Sequence, residues 1–412
     1  MLSDLQSPDD LTWGSPRQKY RVAIIHDWLA TFTGAERVLE QILKLYPGAD
    51  VFCLVNHLPQ ADRSFLEGHE VMTSWLQKAP LSRKHFRKYL PLMPNLIEEF
   101  DLSAYDVVIS SSWAFAKGVL VGAAQPHISY IHTPIRYASQ LKFQYLEQSN
   151  LQSGLRSLYV RHVLHKLRSW DNGTMHSVDR PIANSRYIAQ RICKTYRRAA
   201  DVIYPPVDID RFPPCMEKED YYVAVSRLVP YKRMDLLVKA FAAMPDRKLI
   251  IVGSGPDYDK LKARATNNVT LLGFQPHDKM LEAMQKAKAF IMPAEEDFGI
   301  VMAEAQAAGT PVLTYSRGGA PEILQLDSNK TPTGLLFHEQ SPDAIVQAVE
   351  AFETRQADYA PQACHANAKR FHPTAFRRQF AASVDQTLSQ YGLVSGGSAR
   401  TVPSGAAGTP CA

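Results

Sequence analysis

A chain of 412 residues is long enough for two compact domains, and 45% hydrophobic with 21% charged residues is the composition of a folded protein, which excludes disorder over most of its length. Lys and Arg exceed Asp and Glu by only 46 to 41, and a net charge of +5 gives no ground for a nucleic-acid binder. The five cysteines (Cys53, Cys193, Cys215, Cys364, Cys411) are scattered and form no CxxC pair, which argues against a disulfide framework or a zinc knuckle and for a reducing compartment.

No apolar run approaches the ~20 residues that span a bilayer. The first twenty residues carry acidic side chains and no hydrophobic segment, so they do not read as a signal peptide. The expectation is a cytoplasmic protein, either free or associated with the inner face of the plasma membrane.

After this leader, Arg21–His26 (RVAIIH) reads as a short buried strand, followed by the turn TFTGAE and a helix with Val38, Leu39, Ile42 and Leu43 on one face. Asp50–Val55, Asp106–Ser110 and His127–His132 repeat the strand signal. Pro205-Pro206 interrupts the periodicity and marks the end of a first domain, residues 21–205. The pattern restarts at Tyr221 with YYVAVSRL, KLIIVGSG, NVTLLGF, AFIMPA and TPVLTYS, each followed by a helix-compatible stretch, giving a second domain over 206–380. Residues 395–412, rich in Gly, Ser, Pro and Ala, predict a disordered tail. Strands alternating with helices imply two α/β domains built on parallel sheets, and such sheets bind ligands at their carboxyl ends. Two in series predict a cleft with those ends facing it.

Chemistry-bearing residues fall where these strands end. Thr33-Gly34 opens the first helix, where backbone N–H groups suit a phosphate; an ordinary tight turn reads the same way. Arg227 follows the strand YYVAVS, and Lys232 is placed to begin the next helix. A cation there opposes the helix dipole unless an anion offsets it, which makes a diphosphate its natural partner, with solvated surface charge as the alternative. Gly253 in GSGP allows a tight turn near a ligand but suits any strand-to-helix loop.

The segment 293–324, PAEEDFGIVMAEAQAAGTPVLTYSRGGAPEIL, is the most informative. Glu296 lies just past a strand end and Glu304 inside the next helix, with Phe298, Gly299 and Ile300 making the turn between them. Carboxylates so placed can accept hydrogen bonds from sugar and ribose hydroxyls. Gly318-Gly319 leads a second helix start with Glu322 in its first turn. His132 ends the strand HISYIHT as either a core histidine or a ligand at the cleft, and His26 and Asp27 hold the same kind of position with a weaker claim.

The glutamate, seven residues and glutamate of Glu296-DFGIVMA-Glu304, followed by AGTPV and GGAPE and supported by SRLVPYK, GSGP, LLGF and TGAE, resemble the retaining, GT-B fold glycosyltransferases (family 4-like) from about Arg21 to Phe352. The resemblance implies that Arg227 and Lys232 neutralise a donor diphosphate and Gly34 gives it a backbone N–H. It implies that Glu296 binds the transferred hexose and Glu304 the ribose, that Glu322, Gly318 and Gly319 help hold sugar and phosphates, and that His132 lies near the reacting centre. One departure is that Thr33-Gly34 stands where the family often has two glycines.

HDWL, HTPIRY and NSRYIAQRI–YPPVD look most like bacterial mannosyltransferases of surface-polysaccharide assembly, which implies GDP-mannose as donor and a polyprenyl-diphosphate-linked oligosaccharide as acceptor. A UDP- or ADP-glucose-dependent glucosyltransferase with a soluble acceptor, a nucleotide-sugar epimerase and a non-enzymatic nucleotide-sugar-binding module are the alternatives. No DxD motif is placed to hold a metal, so no metal or other cofactor is expected and fixed cations take its part. KAPLSRKHFRK (78–88) and RSLYVRHVLHKLR (156–168, with Leu158, Val160, Leu164 and Leu167) suit an anionic membrane surface or a plain solvated face.

Overall fold

The computed structural model describes residues 20–393 except 140 and 328. The tail expected over 395–412 lies outside the described residues.

Two compact units emerge from the chain, one comprising residues up to Tyr204 together with those from Phe376 onward, the other Pro205–Ala375. In the first unit the strands are β1 Val22–His26, β2 Asp50–Cys53, β3 Val71–Thr73, β4 Val107–Ser112, β5 His127–Ile131, β6 Arg180–Ala183 and β7 Asp201–Val202. All pair in parallel, in the order β3-β2-β1-β4-β5-β6-β7. The direction of winding therefore reverses between β1 and β4.

Because side chains alternate along a strand, β1 feeds both faces of its sheet. Val22 and Ile24 join one core with Val38, Leu39, Ile42 and Leu43 of the helix Gly34–Leu45. Ala23 and Ile25 join the opposite core with Phe115, Leu164 and Leu167. Burial on both faces explains why RVAIIH reads as an unbroken apolar run.

The second unit holds β8 Glu219–Val225, β9 Leu249–Val252, β10 Val269–Gly273, β11 Ala287–Met292, β12 Val312–Tyr315 and β13 Gly334–Phe337, again parallel, in the order β10-β9-β8-β11-β12-β13. Here the winding reverses between β8 and β11. The strand signals in the sequence match β1, β2, β4, β5 and β8–β12. The strands β3, β6, β7 and β13, of three, four, two and four residues, carried no such signal.

The helix Pro373–Gln390 begins in the second unit and runs on in the first. Its Phe376 and Phe380 stack 5.6 Å apart, and Phe376 meets the Tyr130 ring of β5 at 5.7 Å. Val384 and Leu388 extend this contact into the same core as Val38 and Ile42. The apolar face of this helix is legible in the sequence; its partner, more than 240 residues earlier in the chain, is not.

Candidate functional site

In the second unit the site residues gather at the carboxyl ends of β8, β9, β11 and β12. Past β8, Leu228 N–H donates to the Ser254 carbonyl (2.9 Å) and Val229 N–H to that of Arg227 (3.0 Å), which fixes the backbone under the exposed Arg227 side chain. Lys232 does not begin the following helix, as its position in the sequence suggests. It ends a single 3-10 turn, Pro230–Lys232, and Arg233 in the left-handed region (φ 54°) then redirects the chain into the helix Met234–Ala242. A non-glycine residue held there carries local strain that its surroundings must over-determine.

Lys232 Nζ donates to Glu296 Oε1, past the end of β11, and both side chains are largely shielded, at 18% and 13% exposure. The pair joins the ends of the two strands at which the second sheet changes direction, where open α/β sheets take ligands.

The glycines of this edge are required chiefly by the neighbouring loops. A Cβ on Gly318 (φ 92°) would lie 2.3 Å from the Glu296 carbonyl oxygen, and one on Gly253 (φ 140°) would lie 1.8 Å from that of Ser226. Gly319 N–H donates to the Glu296 carbonyl at 2.7 Å. The loops after β11 and β12 are thus locked backbone to backbone, and Glu296 is fixed by Gly318 and Gly319 as well as by Lys232.

Gly299, also at positive φ (96°), precedes the helix Ile300–Ala307. In its turn Phe298 is buried against Phe371 (ring centroids 5.2 Å), Ile300 is half-buried, and Glu304 in the helix is 7% exposed. Gly318-Gly319 leads only into one 3-10 turn, Ala320–Glu322, rather than the expected second helix; Pro321 stands inside it, and Ile323 and Leu324 go straight into the core. Arg370 holds that turn by donating to the carbonyls of Glu322 and Ile323, at 2.5 and 2.7 Å.

In the first unit Gly34 is the first residue of its helix, and the preceding Thr33 bonds Glu36 through both its backbone N–H (2.8 Å) and its hydroxyl (2.7 Å) to Oε2. The threonine-x-x-glutamate spacing is a capping-box pattern that reading TFTGAE as a turn passes over. Buried His26, at the end of β1, brings Nε2 to 3.6 Å from Glu36 Oε1. Burial opposes the Glu36 charge, but His26 and Thr33 outweigh it and hold the carboxyl below its usual pKa.

His132, just past β5, is half-buried, accepts or donates one bond with Ser111 Oγ at 2.9 Å, and meets the rings of Tyr130 (5.1 Å) and Trp113 (5.8 Å) edge-on. Burial, reinforced by the neighbouring His26, pulls its pKa down to about 3, so the imidazole is neutral near pH 7. Ser111 and Trp113 carried no sequence signal; parallel pairing of β4 with β5 brings them to the histidine.

Two expectations change in the first unit. Asp27 is no open ligand: its carboxylate accepts from the backbone N–H groups of Trp113 (2.6 Å), Ala114 (3.0 Å), Phe115 and Ala116 (2.7 Å), tying the loop after β4 to the end of β1. In the helix Leu155–Thr174, Leu164 and Leu167 are core residues and Val160 packs against that core, so three of the four side chains read as free for an apolar surface are engaged within the unit. Leu158 does stand exposed, with Leu155 and Tyr159 beside it in sequence, at 66%, 88% and 60%.

Two sheets of this kind, each with its site residues at the point of reversal, are the pair of Rossmann-like domains that define the GT-B fold. Residues 32–211 match the family model Glycosyltransferase Family 4 and residues 208–371 match Glycosyl transferases group 1; the chain belongs to this family of GT-B glycosyltransferases.

Among curated relatives, the chain is 34% identical over 196 residues to a GDP-mannose-dependent alpha-(1-6)-phosphatidylinositol monomannoside mannosyltransferase of Mycobacterium tuberculosis, covering 40% of this chain and 50% of that one. The chain thus spans about half the length of this curated relative. Among solved structures it superposes on Alr3699/HepE of Anabaena in complex with UDP and glucose, with a TM-score of 0.63 and 20% identity over 88% of this chain and 99% of that one. It also superposes on sucrose-phosphate synthase of Thermosynechococcus elongatus, with a TM-score of 0.67 and 16% identity over 90% and 100% of the two chains. At these identities the structures establish the shared fold.

Proposed function

We propose that this protein transfers a hexosyl group from a nucleoside-diphosphate sugar to a hydroxyl acceptor with retention at the anomeric carbon. The observation that carries the reading is the shielded Lys232–Glu296 pair at the switch point of the second sheet, with buried Glu304 on the helix that follows. Arg227 and Lys232 take the donor diphosphate, with backbone N–H groups from the loops of Gly253, Gly318 and Gly319. Glu296 takes hexose hydroxyls, oriented by Phe298, Gly299 and Ile300. Glu304 takes the ribose, and Glu322 braces the sugar from its own turn.

When the bond from the anomeric carbon to the diphosphate breaks, negative charge grows on the departing phosphate while the ring gains oxocarbenium character. Preorganised cations and N–H groups aimed at that charge are worth about 3 kcal/mol each in comparable sites. Neutral His132, on the first unit, is suited to hydrogen bonding with a sugar hydroxyl rather than to carrying charge. The donor needs no metal in this scheme, because the fixed cations occupy the part of one.

Two readings of donor and acceptor remain, each with its own support. The solved structures matched over nearly the whole chain include one holding UDP and glucose and a sucrose-phosphate synthase, which favour a UDP- or ADP-glucose type donor and a soluble acceptor. The mannosyltransferases among the curated relatives favour GDP-mannose, and with it a lipid-linked acceptor. The breadth of the structural matches gives the first reading the wider support.

Peripheral contact with an anionic membrane goes with the second reading and rests on exposed Trp75, Leu81 and Leu92 around the basic stretch 78–88, and on Phe143, Leu155, Leu158 and Tyr159. Among the described residues no helix is long and apolar enough to cross a membrane.

Calorimetric titration with UDP-glucose, ADP-glucose, GDP-mannose, UDP and GDP tests the proposal. Binding of one nucleotide series, lost in Glu304→Ala and Arg227→Ala, supports it and selects the reading; no binding of any nucleotide sugar overturns it.

A further inference from the structure

Parallel register sets His26 of β1, Ser111 of β4 and Tyr130 of β5 side by side at the carboxyl edge of the first sheet. Side chains alternate along a strand, so His132, two residues past Tyr130, falls on the same face. Its imidazole is held from three directions. Ser111 Oγ lies 2.9 Å from Nε2, and the rings of Tyr130 and Trp113 meet it edge-on at 5.1 and 5.8 Å. The backbone is pinned as well: His132 N–H donates to the Ser112 carbonyl (2.8 Å), and Asn184 Nδ2 donates to the His132 carbonyl (3.0 Å). Nδ1 has no hydrogen-bond partner among the described residues, yet it is not sealed from solvent as the two nitrogens of His26 are.

Hydrogen-bond accounting around Ser111 decides which nitrogen carries the proton. Ser111 is fully buried, and the contact with Nε2 is the one hydrogen bond of its hydroxyl among the described residues. Its neighbours in register offer no other acceptor. The Tyr130 hydroxyl is committed to the Ile203 carbonyl (2.8 Å), and neither His26 nitrogen has a hydrogen-bond partner. Glu36, the carboxylate that faces His26, receives both hydrogens of Thr33 on Oε2 and turns Oε1 to His26 Nε2.

A serine hydroxyl has one hydrogen to give, and a neutral imidazole has one N–H and one bare nitrogen. With the proton on Nε2, the Ser111 hydrogen would be buried with no acceptor, which is the costly way to leave a hydrogen bond unmade. With the proton on Nδ1, Ser111 donates to bare Nε2 and both groups are satisfied. Burial keeps the ring neutral near pH 7, its pKa pulled down to about 3, so one of these two forms must hold.

Resting on the glycosyltransferase reading, we infer that Ser111 is a positioning residue that holds His132 as the Nδ1–H tautomer, so that this edge presents a hydrogen-bond donor to a sugar oxygen. A protonated Nδ1 has no lone pair with which to take up a proton. His132 is therefore a donor and not the base that deprotonates the acceptor hydroxyl.

Nitrogen NMR of the full chain carrying isotope-labelled histidine, near pH 7 and without substrate, reads the tautomer directly. The His132 signals are assigned by their loss in His132→Gln and their shift in Ser111→Ala. A protonated Nδ1 and a bare Nε2 are expected in the unaltered chain; a protonated Nε2 overturns the inference. In a transfer assay Ser111→Ala should lower kcat roughly ten-fold with the donor KM little changed, as loss of one well-placed hydrogen bond implies. Ser111→Thr, which keeps the hydroxyl, should restore both the rate and the Nδ1–H signal.

Folding of the variants is matched by intrinsic fluorescence, since all five tryptophans lie in residues assigned to the first unit. An unchanged kcat in folded Ser111→Ala, or an equal loss in folded Ser111→Thr, overturns the positioning role. The tautomer is read with no donor present, so the two readings fail separately. A chain that shows Nδ1–H and binds no nucleotide sugar overturns the glycosyltransferase reading, and one that transfers sugar but shows Nε2–H overturns the inference.

Discussion

The two units repeat one architecture, a parallel sheet that reverses direction at its middle, yet the two reversal points are chemically opposite. At β8 and β11 the edge is charged and its loops are pressed backbone to backbone, with Lys232 bound to Glu296 and Gly318 without room for a Cβ. At β1 and β4 the edge is lined with rings, its histidine is neutral, and its loop is held by one buried carboxylate, Asp27. The same topology therefore supplies a place and not a chemistry, which the loop residues decide. A charged, rigid edge suits a diphosphate; a ring-lined edge suits a saccharide.

The largest effect expected from breaking this contrast is on turnover. Lys232→Met removes one fixed cation and strands the Glu296 carboxylate, and should lower the transfer rate by two to three orders of magnitude, read in a steady-state assay with the donor selected by calorimetry. The thermal unfolding of this variant should change far less than its rate; a rate loss that merely tracks unfolding would assign the pair to stability alone.

Stability should separate the two edges next. Asp27→Asn replaces one of the two acceptor oxygens with an amide donor in front of two of the four backbone N–H groups and should cost about 3 kcal/mol, seen as an earlier tryptophan-fluorescence transition of the first unit. Gly318→Ala should cost a comparable ~1–3 kcal/mol through a strained φ and the 2.3 Å approach to Glu296. That loss should appear as faster hydrogen exchange in residues 293–324 with the fluorescence transition unmoved. Identical fluorescence shifts for the two variants would show that the units do not respond as separate bodies.

Mild acid gives the smallest effect. Burial lowers the pKa of His132 to about 3 and of His127 to about 4, so between pH 6.5 and 4 the unfolded chain takes up protons that the folded first unit refuses. Stability of that unit should fall as pH drops through this window. In the second unit burial works to raise the pKa of Glu353, but Arg247, Tyr222 and Lys288 outweigh it and bring it to about 2, so this carboxylate's contribution is complete above about pH 4.5 and is lost only below. Unfolding monitored at pH 7 and pH 5 by fluorescence, and by exchange in the second unit, should show the first unit losing more.

The candidate residues of the second unit could be named before its structure. Glu296, Glu304, Gly318 and Arg227 announce themselves because a strand end, a glycine turn and a charged residue fall in a short stretch of sequence, and local signals survive translation into structure. In the first unit only Gly34, His132 and, with a weaker claim, His26 and Asp27 were named beforehand. Ser111 and Trp113 lie on a segment of the chain apart from His132, and an aromatic next to a turn has no periodicity to mark it.

What the sequence determined by itself was the class: buried apolar runs alternating with amphipathic helices leave few arrangements other than two wound parallel sheets, and the spaced glutamates name the family. What only the tertiary structure decided was which polar groups are spent on holding the fold. It turned Asp27 from a candidate ligand into a brace for a loop, Leu164 and Leu167 from a surface face into core, and the helix Pro373–Gln390, from Phe376 on, into a part of the first unit. The reason is physical: a strand's apolar run reports its own burial, whereas a polar side chain's partner depends on strand order and parallel register, which bring together residues with no relation along the chain.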